Sequence, residues 1–173
     1  KELMSLSAME QGKDLPDFSL LDMAKLTKGV LSTMEILLKQ EGISVEVDIP
    51  EGLFLWGDEF KVEEVLMNYL QNAIHHVGEP KQISVYTENR GQKTVEIHVR
   101  NTGNPIPEED LPRVFEKFYK VDKAHSRSYG GSGLGLSIVK AIMDSHHQEC
   151  GCKNTLTGVD FWFTLEKGET AKT

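Results

Sequence analysis

Asp58-Glu59-Phe60-Lys61-Val62-Glu63-Glu64-Val65-Leu66-Met67-Asn68-Tyr69-Leu70-Gln71-Asn72-Ala73-Ile74-His75-His76 has the chain's clearest helical pattern. Val62, Val65, Leu66, Tyr69, Leu70, Ala73 and Ile74 recur at steps of three and four, the period of an α-helix with one buried face. Asp58 stands where a helix start wants a capping carboxylate. Glu64, Asn68, Asn72 and then His75 or His76 fall on a second face. Asn is a poor helix-interior residue because its amide competes with the backbone. Two of them four apart therefore ask for a reason. One reading is a solvated face with an amide pair. The other is a set of neutral oxygen ligands for a hard cation such as Mg²⁺, with amide N–H groups left for phosphate oxygens.

On the N-terminal side, Leu3, Leu6 and Met9 with Gly12 read as the tail of an upstream helix. Ser19-Leu20-Leu21-Asp22 fits a capping box and predicts a helix to Gly42, with a stripe of Leu20, Ala24, Val30, Leu31, Met34, Leu37 and Leu38. Ile43, Val45, Val47 and Ile49 alternate as a half-buried strand, and Leu53–Trp56 follows as a short one. On the C-terminal side, Ile83–Thr87 and Thr94–Val99 read as strands. Asn101–Ser132 is irregular, with a helical pattern over Leu111–Tyr119. Leu134–His147 reads as a third helix. Val159, Phe161, Phe163 and Leu165 form a last strand, paired with one near Gly151–Thr155. The βαβαβ rhythm of a parallel sheet is absent. The fold class expected is α/β: a two-layer sandwich, a mixed sheet of about five strands with three main helices on one face.

The 173 residues are 39% apolar and 27% charged, with no apolar run of membrane-spanning length. A net charge of -8 argues against nucleic acid as a partner. Cys150 and Cys152, one residue apart, read as free thiols.

Three other stretches bear on chemistry. Asn101-Thr102-Gly103-Asn104-Pro105 follows a strand directly. It is either a plain turn or a place where Gly103 lets a flat ring approach the chain while Asn101 bonds its edge. Gly130-Gly131-Ser132-Gly133-Leu134-Gly135 opens the third helix. It fits neither the dinucleotide fingerprint nor the P-loop, yet consecutive N–H groups at a helix start make an anion site. Lys117, Lys120, Lys123 and Arg127 against Asp122 concentrate positive charge just before it. That run is either a solvated face or a lid over phosphates. Elsewhere, His98 alternates outward and is expected in solvent. His146 and His147 end the third helix, where a cation suits the dipole.

In this order, the motifs resemble the catalytic ATP-binding domain of bacterial sensor histidine kinases, within the gyrase, heat-shock chaperone, kinase and mismatch-repair ATPase superfamily. Glu64–Ile74 resembles the Asn box and Asn101-Thr102-Gly103 the first glycine box. Phe115-Glu116-Lys117-Phe118-Tyr119 resembles the Phe box and Gly131–Leu136 the second glycine box. The resemblance implies ATP and Mg²⁺ as ligands. It implies a catalytic set of Glu64, Asn68 and His75, with Asn72 and Asn68 on the metal. Nucleotide contacts would come from Asn68, Asn72, His76, Asn101, Gly103, Ile106, Phe118, Lys120, Arg127, Gly131, Ser132, Gly133, Leu134, Gly135 and Leu136. Three positions depart from the family: His75 stands for a Lys, His76 for a frequent Tyr, and Asn101 for the adenine-contacting Asp. An amide can flip toward the carbonyl of guanine, so Asn101 is expected to discriminate less than a carboxylate.

The resemblance further implies residues 1–13 as the tail of a dimerisation and phosphoacceptor helix, 14–168 as the catalytic domain and 169–173 as a frayed end. The γ-phosphoryl would pass to a histidine on that upstream domain and then to a response regulator. The full protein would be a homodimer, a membrane-anchored sensor. This domain would lie in the cytoplasm without touching the membrane. A nucleotide-binding regulatory module without transfer, or a sister ATPase such as an anti-sigma serine kinase, are the alternatives.

Overall fold

In the computed structural model, which describes residues 6–8, 10, 12, 14–119 and 134–168, Asp58 is the hub where strand becomes helix. Its carboxylate accepts the Lys61 N–H at 3.2 Å and the Asp17 N–H at 2.8 Å. One side chain thus caps a helix and ties down an incoming strand. In chain order the elements are β1 (Phe18–Asp22), α1 (Met23–Thr33), α2 (Glu35–Gln40), β2 (Ser44–Asp48), β3 (Phe54–Asp58), α3 (Glu59–His76), β4 (Gln82–Arg90), β5 (Thr94–Thr102), a 3-10 turn (Leu111–Arg113), α4 (Gly135–Ser145), β6 (Cys150–Asn154) and β7 (Gly158–Lys167).

The strands form one seven-stranded sheet in the order β1-β3-β7-β5-β4-β2, with β6 also on β7. All pairs are antiparallel except β2–β4, which is parallel. The α/β sandwich is as expected, with more strands than the five or so predicted. The unforeseen strand is β1, where Ser19 was read as a helix cap. Phe18–Asp22 pairs instead with β3, from Phe18 opposite Asp58 to Asp22 opposite Phe54. The helix starts one residue later, with Asp22 accepting from the Lys25 N–H at 3.2 Å. Sheet pairing along five residues outweighs a local capping pattern. The expected single helix is also broken at Met34 into α1 and α2. β2 pairs on one side only and is mostly exposed rather than half-buried.

Alternation assigns the sheet's two faces. Val85, Val95, Ile97, Val99, Val159, Phe161, Phe163 and Leu165 join the core beneath the helices. Leu6, from the N-terminal stretch, is buried in the same core. Tyr69 is fully buried against Phe161 and Phe163, with ring centroids 5.3 and 6.0 Å away. Its hydroxyl donates to the Trp162 carbonyl at 2.8 Å, so the buried polar tip is satisfied. Cys150 and Cys152 are free, and burial pushes both thiols up to about 11.

Two histidine expectations are overturned. His98 does lie on the face away from the helices, but it is 1% exposed. Its Nδ1 is 2.8 Å from Asp160, its Nε2 2.8 Å from Glu96, and Tyr86 stacks on its ring. Strand alternation tells which face a residue takes, not whether long neighbours cover it. His146 is likewise buried and is not a dipole-seeking cation. Its Nε2 accepts the Asp58 N–H at 3.1 Å and its Nδ1–H donates to the Ile142 carbonyl at 2.9 Å. A neutral ring meets both partners, and burial holds its pKa below the ordinary value. The unfolded chain therefore takes up a proton at higher pH than the folded one. The stability this neutral ring contributes is complete above the unfolded value of about 6.5 and is lost as pH falls below it, at up to about 1.4 kcal/mol per pH unit. Thermal unfolding of the wild type and of His146→Gln between pH 8 and pH 5 should show the steeper acid-side decline in the wild type. Parallel curves would assign that decline elsewhere.

Candidate functional site

The core-facing stripe of α3 fixes where its second face points. Glu64 and His76 are exposed, whereas Asn68, Asn72 and His75 are half-buried. The Asn68 amide N–H donates back to the Glu64 carbonyl at 3.0 Å, which leaves its Oδ1 directed away from the helix backbone. A Cβ on Gly135 would stand 3.0 Å from that oxygen. The first residue of α4 therefore passes directly over Asn68, and only glycine fits there without displacement. Leu134 is buried just ahead of it, its carbonyl accepting from Ser137, and Leu136 packs partly against the core. No acidic residue lies in the first turn of α4. The positive end of this helix thus faces the Asn-bearing face of α3.

The end of β5 closes the other side. Gly103 has φ +142°, and a Cβ there would be 2.7 Å from the His76 carbonyl and 2.9 Å from the Gly78 nitrogen. Gly78 in turn donates its N–H to Thr102 O at 2.7 Å, and the Thr102 hydroxyl donates to Gly78 O at 2.6 Å. The C-terminus of α3 is laced to the strand end by contacts a side chain at Gly103 would block. Asn101 is buried beside them. Its amide N–H donates to Thr102 O at 3.0 Å, and its Oδ1 has no hydrogen-bond partner among the described residues. The His75 and His76 rings stack at 4.6 Å.

Beyond Gly103, Ile106 is held by Asn154 in a two-way clamp. The Ile106 N–H donates to Asn154 Oδ1 and the Asn154 amide donates to Ile106 O, both at 2.8 Å. Phe115 packs against Phe161, but Phe118 is 60% exposed with φ +62°. The structure thus brings Asn68 to Gly135 and Asn101 to Gly103 and the end of α3. Lys120, Arg127, Gly131, Ser132 and Gly133 lie outside the described residues, as does nearly all of the expected basic lid. Lys117, its first member, pairs with Glu10 at 2.6 Å. Asn154 and Gly78 are positioning residues that the motif reading passed over, and Thr102, quoted there only as part of a motif, is a third. Their partners are distant in sequence, and the one local hint was a glycine two residues past the helix.

The family model for histidine kinase-, DNA gyrase B- and HSP90-like ATPases matches residues 57–169. The chain belongs to this family. The ATPase domain is 36% identical over 170 residues to sensor histidine kinase YkoH of Bacillus subtilis, covering 96% of this chain and 36% of that protein. It is 35% identical over 146 residues to the sensor-like histidine kinase SenX3 of Mycolicibacterium smegmatis, covering 84% and 38%. It therefore spans little more than a third of these relatives' length. The catalytic domain of histidine kinase ThkA superposes with a TM-score of 0.77 at 30% identity, over 87% of this chain and 96% of that one. ThkA has also been solved in complex with the response regulator protein TrrA, matching at a TM-score of 0.75 and 27% identity over 96% and 48%.

Within the ATPase domain, the Asn154 clamp makes a direct prediction. Asn154→Ala removes two bonds that position residues 104–107 and should cost about 1–3 kcal/mol of stability. Amide exchange at Ile106 should accelerate well beyond the global change. Equal acceleration at Ile106 and in α3 would mean the clamp has no local role.

Proposed function

We propose that this ATPase domain is the ATP-binding catalytic part of a two-component sensor histidine kinase. The observation that carries the reading is Asn101 Oδ1. A buried acceptor left unpaired costs about 1–3 kcal/mol, and the exocyclic amino group of adenine is a donor that would satisfy it. The amide is locked by its own N–H to Thr102 O, so the flip expected from sequence is opposed. The carbonyl of guanine would then meet an acceptor. Gly103, Ile106 and His76 would border the base. Phe118, Lys120, Arg127, Gly131, Ser132 and Gly133 would complete the nucleotide contacts.

The side-chain oxygens of Asn72 and Asn68 are hard neutral donors of the kind Mg²⁺ accepts. A bound Mg²⁺ would neutralise phosphate charge. The start of α4, from Leu134 through Gly135 and Leu136, would direct backbone N–H groups at phosphates. Glu64, exposed one turn before Asn68, offers a carboxylate to take a proton from an incoming histidine. His75, in place of a lysine, would hold a phosphate contact.

The acceptor histidine would lie on an upstream dimerisation domain, of which residues 1–13 form the tail, and a response regulator would receive the phosphoryl group. The whole protein would be a homodimeric membrane-anchored sensor with this domain in the cytoplasm. Among the described residues no helix is long and apolar enough to cross a membrane.

Calorimetric titration tests the reading. The chain should bind ATP with Mg²⁺ but incorporate no acid-labile phosphate by itself, and fusion to an upstream phosphoacceptor helix pair should restore incorporation. Binding without restored incorporation would favour a regulatory module. Asn101→Ala should weaken ATP by about 1–2 kcal/mol and erase its preference over GTP. Asn72→Ala should abolish the Mg²⁺ dependence while shifting the unfolding midpoint little. An unchanged ATP-to-GTP ratio in the first variant would remove Asn101 from base recognition, and retained Mg²⁺ dependence in the second would remove Asn72 from the metal.

A further inference from the structure

The sheet face away from the helices carries a cluster that the nucleotide chemistry does not use. Tyr86 and Glu88 on β4 stand opposite His98 and Glu96 on β5, and Asp160 lies on β7 opposite Arg100. His98 and Asp160 are 1% and 0% exposed on a face where water would be expected. Tyr86 stacks on the His98 ring, and the Arg100 guanidinium lies over Tyr86 at 4.9 Å. Glu88 and Glu96 are direct cross-strand partners, an arrangement that repels unless positive charge lies between them.

Both imidazole nitrogens of His98 face carboxylates, Nδ1 at 2.8 Å from Asp160 and Nε2 at 2.8 Å from Glu96. Glu88 lies 3.8 Å from the same Nε2. A neutral imidazole has one proton, so one of these contacts needs either a second ring proton, which the neighbouring carboxylates favour by raising the His98 pKa, or a metal ion in its place. Arg90 and Arg100 provide two guanidiniums to Glu96, Glu149 and Asp160. Glu88 has no charged partner but His98 among the described residues. With His98 neutral, four carboxylates against two guanidiniums leave two negative charges, the complement of one divalent cation.

We propose that Glu88, Glu96 and His98 form a binding site for a zinc-class divalent cation, with Asp160 orienting the histidine. Their ligand atoms all lie within 4.8 Å of one another. Ligands about 2.1 Å from a tetrahedral ion stand about 3.4 Å apart, so the 2.8 and 3.8 Å separations need small shifts in opposite directions. With Nδ1–H donated to Asp160, Nε2 presents its lone pair to the ion, the carboxylate–histidine–metal arrangement of protein zinc sites. Water would fill the fourth position. One nitrogen and two carboxylates suit Zn²⁺ or Co²⁺, whereas Mg²⁺ demands an octahedral oxygen shell. The ion would pin β4 and β5 to β7 on the face opposite the nucleotide residues, so the site does not depend on the nucleotide reading.

The test is titration of the 173-residue chain with Zn²⁺, and with Co²⁺ followed by its ligand-field absorption. One ion per chain, a raised unfolding midpoint and no displacement by excess Mg²⁺ are expected. Glu88→Gln and Glu96→Gln should each weaken binding more than tenfold, and Glu88→Gln should leave ATP affinity unchanged. Cys150→Ser/Cys152→Ser should retain the ion. No saturable binding, or binding that either glutamine variant leaves intact, would overturn the proposal. Loss of binding in the cysteine variant would also overturn it, because the ion would then belong to the thiols.

Discussion

The site depends on how α3 is rotated about its axis. Tyr69 sets that rotation: its ring is locked between Phe161 and Phe163, and its hydroxyl must reach the Trp162 carbonyl. Residues three and four positions along the helix follow its orientation. Turning α3 by one residue, about 100°, would carry Asn68 away from Gly135 and swing Asn72 with it. The apolar stripe and the amide stripe are therefore one constraint, and the core enforces the geometry of the polar face.

Closure at the two ends follows from backbone contacts that tolerate no side chain. Gly135 meets Asn68 at the start of α4, and Gly103 meets His76 and Gly78 at the end of α3. Asn101 sits between the strand end and that junction, held by its neighbour's carbonyl with one acceptor unpaired. Side chains held by such contacts have less freedom to lose on binding. The opposite sheet face is held by different physics, a layer of rings and guanidiniums over a buried histidine and aspartate.

Much of this was legible in the sequence because it is periodic or local. The stripe over Val62–Ala73, the Asp58 cap and the alternation over Val159–Leu165 all recur in the structure. β1 was not legible, because Ser19 and Asp22 mimic a helix start and only β3, more than thirty residues away, decides otherwise. His98 and His146 were misplaced because period and helix position are silent on what covers a side chain. Asn154 was invisible because its partner Ile106 is 48 residues away. Asn68, Asn72, Asn101, Gly103 and Gly135 were singled out by residue type and spacing. Their mutual contacts required the fold.

The most direct test of whether the amide face and the strand end form one nucleotide site is to follow side-chain amides by NMR. Asparagine NH₂ resonances of the chain would be assigned and titrated with Mg²⁺ and ADP. The expected result is that the Asn68, Asn72 and Asn101 amides shift together along one binding curve, while the His98 ring signals on the opposite face stay in place. Saturable nucleotide binding that leaves those three amides unmoved would contradict the account.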